Sequence, residues 1–174
     1  MSRIDQTTEL SNHERKSMRV DEILAKAKAA QRIISTAESC TGGVLSAALT
    51  AVAGASEVFD RGFVTYSNVA KVDLLGVSMI TIERDGAVSE AVAREMADGA
   101  QRNSNAHIAI SITGVAGPGS SNQKPEGRVC FGLSDVSERS TLSETIDFGP
   151  LGRDQVRKAA CEHALEMLLN RLNR

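Results

Sequence analysis

The chain has 174 residues, 41% of them hydrophobic and 24% charged, with a formal net charge of −2. That length suffices for one domain with its own core, and the near-balanced charge offers no basic face for direct nucleic-acid binding. Scattered cysteines (Cys40, Cys130, Cys161) and isolated histidines (His13, His107, His163) argue against a disulfide framework and against a metal site, and no apolar run is long enough to span a membrane.

Residues 1–17 are polar and lack apolar periodicity, so they read as a disordered N-terminal extension, outside a folded unit over 18–174. From Met18 to Gln31, Val20, Ile23, Leu24 and Ala27 recur at helical spacing, and the β-branched run Arg32–Thr36 then suits a buried strand. The Ala- and Leu-rich stretch Val44–Val52 predicts a helix, with Gly54 as its C-terminal cap. Arg61–Tyr66 carries strand chemistry, and Asn68–Leu75 predicts a short helix stopped by Gly76. Ser89 is placed to cap a helix through Gln101, with Val92, Met96 and Ala100 on one face. Ala106–Ile112 is almost continuously apolar, as a central strand covered on both sides requires. Gly127–Val136 and Ser140–Phe148 suit an antiparallel hairpin, and Arg153–Leu172 a long C-terminal helix. Helices alternating with strands in this way predict an α/β fold, a single three-layer α/β/α domain on a mixed, mostly parallel sheet.

In such sheets ligands collect beyond the carboxyl ends of the strands, where loops lead into helix N-termini. Two loops have that placement. Glu38-Ser-Cys-Thr-Gly-Gly43 packs a carboxylate, two hydroxyls, a thiol and two glycines between the first strand and a helix, and Thr113-Gly-Val-Ala-Gly-Pro-Gly-Ser-Ser121 follows the central strand with exposed amides and hydroxyls. Neither is a P-loop or a dinucleotide fingerprint, and each alone could be ordinary turn chemistry. A third segment, Tyr66-Ser67-Asn68 followed by Lys71, puts a phenol and an ammonium at a strand-to-helix junction. A lysine is usually a solvated surface charge, but a buried one with a lowered pKa can serve a hydroxyl nucleophile as its base. With no histidine in a patterned loop, a Ser-Lys pair is the more economical acid–base system, and Cys40 is a rival nucleophile that lacks a paired histidine.

Five ordered motifs resemble one family: Thr36-Ala-Glu-Ser-Cys-Thr-Gly-Gly43, Phe59-Asp-Arg-Gly-Phe-Val-Thr-Tyr-Ser-Asn68 with Lys71, Gly86-Ala-Val-Ser-Glu90, Ser111-Ile-Thr-Gly-Val-Ala-Gly-Pro118 and Lys124-Pro-Glu-Gly127. From about Met18 onward the chain is similar to the C-terminal domain of the competence/damage-inducible CinA proteins, a domain that also occurs alone as a nicotinamide-nucleotide amidase. The resemblance implies hydrolysis of the carboxamide of nicotinamide mononucleotide to nicotinate mononucleotide and ammonia, without metal or organic cofactor, in a cytoplasmic homodimer. It further implies Ser39 or Ser56 as the attacking hydroxyl, Lys71 as its base, and Tyr66 and Thr113 as further catalytic groups. Glu38, Thr41, Gly42, Gly43, Gly114, Gly117 and Arg153 are then the substrate-binding set, with loop amides for the oxyanion and Arg153 for the 5′-phosphate. Ser39 occupies a strand-to-helix turn like a nucleophile elbow, while Ser56 resembles a family serine of similar standing, and the sequence does not separate them. The chain departs from the family's usual Lys-Pro-Val-Gly-Thr-Val in having Lys124-Pro-Glu-Gly-Arg-Val129. Those two charges motivate the alternative of a non-catalytic pyridine-nucleotide-binding module that regulates a competence or DNA-damage partner.

Overall fold

The computed structural model describes residues 12–121 and 123–174. In chain order the elements are α1 (Asn12–Ala29), β1 (Ile34–Glu38), α2 (Val44–Thr50), a 3-10 turn (Ala55–Glu57), β2 (Phe59–Val64), α3 (Asn68–Leu75), α4 (Met79–Asp85), α5 (Glu90–Arg102), β3 (Ile108–Gly114), β4 (Arg128–Asp135), β5 (Leu142–Asp147) and α6 (Arg153–Leu172). The strands form one sheet in the order β2-β1-β3-β4-β5. β1 pairs in parallel with β2 and β3, while β4 runs antiparallel to both β3 and β5, so β4 alone opposes the common direction.

Strand alternation explains the layers. Ile108, Ile110 and Ile112 of β3, with Val129, Phe131 and Leu133 of β4, pack into an aliphatic core beneath α1, α2 and α6. The residues between them face the other way, where Ala37 and Ala109 meet Leu75, Ile82, Val92 and Met96 from α3, α4 and α5. The small residues on this second face admit close approach. A Cβ on Gly99 would stand 2.0 Å from the Leu75 carbonyl oxygen, so α5 lies against the end of α3 only because residue 99 has no side chain. Gly76, at φ 66°, caps α3 by donating its amide to the Lys71 and Val72 carbonyls.

Several boundaries differ from the sequence expectation. α1 begins at Asn12, inside the stretch read as a disordered extension, because Glu14, Arg15 and Lys16 are helix formers even without an apolar stripe; residues 1–11 lie outside the described residues. β1 starts at Ile34 rather than Arg32, since Gln31 takes a positive φ of 52° as the chain leaves α1. Gly54 does not cap α2, which ends at Thr50; it opens the 3-10 turn at φ 86°. α4 was not anticipated. The run Met-Ile-Thr-Ile is β-branched and lacks helical spacing, and the helix rests on Ser78, whose Oγ accepts the Thr81 amide. No described helix is long and apolar enough to cross a membrane.

Candidate active site

The carboxyl ends of β1, β2 and β3 lie side by side, and a cleft of about 320 Å³ opens above them. Each strand delivers one wall: Ser39 and Cys40 follow β1, Tyr66 follows β2, and the loop from Gly114 to Ser121 follows β3. The N-terminal ends of α3 and α6 contribute Asn68, Lys71 and Arg153.

Glu38 and Ser39 are adjacent in sequence but serve opposite sides of the sheet. The fully buried Glu38 carboxylate accepts the amides of Gly43 and Leu45 (both 3.0 Å) on Oε2, and the amide (2.8 Å) and hydroxyl (2.7 Å) of Ser46 on Oε1. It therefore caps the start of α2 and satisfies amides that have no helical partner. This corrects its reading as a substrate ligand, and the Gly43 amide is withdrawn from any oxyanion site by the same contact. Gly42 is committed too, through its amide to the Ser39 carbonyl at 3.1 Å. From α6, Arg157 Nη2 donates to the Thr41 carbonyl at 2.9 Å and holds this turn from outside.

Ser39 points to the other face and meets Lys71. In α3 the Ser67 hydroxyl caps the first turn by accepting the Ala70 amide, and Lys71 lies one turn in, so its side chain runs back over the helix N-terminus. Its Nζ donates to Ser39 Oγ (2.9 Å), to the Thr65 carbonyl (2.9 Å) and to the Tyr66 carbonyl (3.4 Å). Lys71 is 1% exposed and has no carboxylate partner among the described residues. Burial lowers its pKa from 10.5 to about 8, and the nearby Cys40 sulfur offsets this only in part. A neutral amine here keeps two N–H bonds for the two carbonyls and turns its lone pair to Ser39 Oγ, the arrangement a hydroxyl nucleophile needs. Burial pushes the Cys40 thiol up to about 12, which disfavours the thiolate a cysteine nucleophile would need.

The remaining expected residues divide. Tyr66 borders the cleft, but its phenol oxygen accepts from Arg153 Nη2 at 2.6 Å and only its main-chain carbonyl reaches Lys71, so the phenol expected as a further catalytic group pairs with Arg153 instead. Arg153 also donates from Nη1 to the Gly117 carbonyl at 2.9 Å, tying α6 to the second loop. Thr113 lines the cleft, yet its hydroxyl donates to the Ala87 carbonyl at 2.8 Å; it anchors the Gly86–Val88 wall rather than carrying a proton. Gly114 and Gly117 both line the cleft. Ser56 is corrected outright. It is an exposed residue of the 3-10 turn before β2, at the amino end of the sheet, whereas Ser39 and Lys71 sit beyond the carboxyl ends.

Sequence reasoning did not single out Asn68 or Lys124, both of which line the cleft, nor Arg157. A signal for Arg157 was present: it lies four residues after Arg153, on the same face of α6. Of the two charges that depart from the family pattern, Arg128 forms a two-pronged pair with Asp147 across the β4–β5 hairpin, and Glu126 accepts main-chain amides behind the second loop. Neither lines the cleft.

Comparison with known proteins places this geometry in context. The model of the CinA C-terminal domain matches residues 16–172. Nicotinamide-nucleotide amidohydrolase PncC of Enterobacter agglomerans is 46% identical over 149 residues, covering 85% of this chain and 90% of that protein. PncC of Escherichia coli K12 is 44% identical, covering 81% of this chain and 85% of its own length. Longer relatives match as well, and the chain spans about a third of them (33% and 31% of two CinA-type proteins). The crystal structure of competence/damage inducible protein CihA from Agrobacterium tumefaciens superposes with a TM-score of 0.87 at 42% identity, covering 91% of this chain and 96% of that one.

Proposed function

Since this chain belongs to the CinA C-terminal domain family, we propose that it is an amidohydrolase that cleaves the carboxamide of nicotinamide mononucleotide by Ser39–Lys71 catalysis. The observation that carries the mechanism is the 2.9 Å contact between Lys71 Nζ and Ser39 Oγ at the floor of the cleft. Neutral Lys71 takes the hydroxyl proton as Ser39 Oγ attacks the carboxamide carbon. The resulting oxyanion falls to the amides of Cys40 and Thr41, which directly follow the nucleophile and enter none of the turn's main-chain hydrogen bonds. Collapse of the tetrahedral intermediate breaks the C–N bond, and the Lys71 ammonium protonates the departing nitrogen, which leaves as ammonia. Water then attacks the ester on Ser39, giving up a proton to Lys71, which returns it to Ser39 as nicotinate mononucleotide leaves with its carboxylate.

Arg153 and Lys124 supply the positive charge for the substrate's 5′-phosphate, and Asn68 is an amide partner on the opposite wall. The reading extends to a cytoplasmic homodimer; the apolar Val69, Leu74 and Ile80, exposed on α3 and α4, supply surface for self-association. Purified protein mixed with nicotinamide mononucleotide should release ammonia over many turnovers. Ligand-induced thermal stabilisation without any ammonia would instead identify a binding module.

A further inference from the structure

Glu126 sits between Lys124-Pro125 and Gly127, where the second loop returns into β4. Its Oε2 accepts the Gly119 amide at 2.6 Å and its Oε1 the Gly152 amide at 3.1 Å. Gly152 is the N-cap of α6, so the carboxylate bridges the Gly-rich loop to the positive end of that helix. Its seat is shaped for it: a Cβ on Gly117 would stand 2.4 Å from Glu126 Cδ. On the other side of the same loop, Arg153 holds the Gly117 carbonyl and borders the cleft together with Lys124.

An internal carboxylate thus occupies main-chain donors of the kind that grip phosphate elsewhere, on the loop whose other side is held by Arg153. We infer that Glu126 is a specificity-determining residue which weakens the hold on the substrate's 5′-phosphate, so that the site favours the nucleotide over the corresponding nucleoside less than its two cations alone would. This rests on the amidase reading above. The residue acts through charge and through donors it withholds, not through contact with the reacting carboxamide, so its effect belongs in the ratio of two substrates that differ only in the phosphate.

The test compares kcat/KM for nicotinamide mononucleotide and nicotinamide riboside in the wild type, Glu126→Gln and Glu126→Ala. Both variants should raise the nucleotide-to-nucleoside ratio by about tenfold, the order expected for removing one partly screened charge near a phosphate, with the riboside value within about twofold of wild type. High salt should shrink the difference. Equal losses for both substrates would mean that Glu126 only braces the loop, and an unchanged ratio would mean its charge is not felt in the cleft; either result overturns the inference. If the wild type releases no ammonia from either compound, the amidase reading fails separately. Calorimetric affinities for the same two ligands then carry the comparison, with the same ratio expected to move or the inference to fall.

Discussion

Lys71 offers the sharpest test of the catalytic reading, because its protonation state sets the rate over an accessible pH range. An ordinary lysine with a pKa of 10.5 is neutral to roughly 0.03% at pH 7, whereas one lowered to about 8 is neutral to about 10%, a gain of about 300-fold in available base. The neutral fraction then climbs about tenfold between pH 7 and pH 9 and levels off beyond. If neutral Lys71 is the general base, kcat/KM for ammonia release follows that curve, with one rising limb centred near 8, above the range where a substrate phosphate titrates. The same shift must appear in stability. The folded-state pKa lies below the unfolded one, so the unfolded chain binds more protons between about 8 and 10.5, and stability rises with pH across that window by about 3 kcal/mol in total. Lys71→Met should abolish turnover and remove this pH-dependent increment together, measured by ammonia assay and by urea unfolding at a series of pH values. A rate that is flat or falling between pH 7 and pH 9 in the wild type would refute Lys71 as the base.

Four further substitutions separate the roles assigned above. Ser39→Ala should eliminate measurable turnover while leaving the unfolding midpoint close to wild type, and Ser56→Ala, at the opposite end of the sheet, should turn over like wild type; the reverse pattern would restore Ser56 as the nucleophile. Glu38→Gln leaves one oxygen to serve four donors at the start of α2, so a loss of about 2–3 kcal/mol is expected in chemical denaturation, and a variant as stable as the parent would contradict the capping role. Gly99→Ala places a methyl 2.0 Å from the Leu75 carbonyl oxygen, so α5 and α3 must separate; a loss of more than about 2 kcal/mol is expected, and crystallography of any folded variant should find Lys71 Nζ displaced from Ser39 Oγ.

What the sequence made legible follows from how local each determinant is. α3 and α6 match their expected bounds because the breaker Gly76 after α3 is a local signal and the run over Arg153–Leu172 is long; in the structure Ser67 also caps the start of α3. β3 was readable from a near-continuous apolar run, and the β4–β5 hairpin from two strand-like segments flanking a short polar turn. α4 was not, because its Met-Ile-Thr-Ile start carries β-propensity and only packing against α5, together with the Ser78 cap, holds it helical.

The candidate site divides along the same line, with one further ingredient. A carboxylate, a serine and a lysine in adjacent motifs suggest chemistry to a reader of the sequence, but proximity along the chain says nothing about which side of a sheet each side chain takes. Residues 38 and 39 differ by one step of the pleat, and that step sends Glu38 under α2 and Ser39 toward α3. Ser56 and Lys71 are separated by one strand, and a strand has two ends; a serine before β2 and a lysine after it stand on opposite rims of the domain. Ser39 and Lys71, 32 positions apart, meet because β1 and β2 run parallel and pair residue 38 with residue 64, leaving the next residues of both strands to turn over the same cleft. Parallel register, more than any single motif, is therefore what makes Ser39 and Lys71, the proposed nucleophile and base, neighbours.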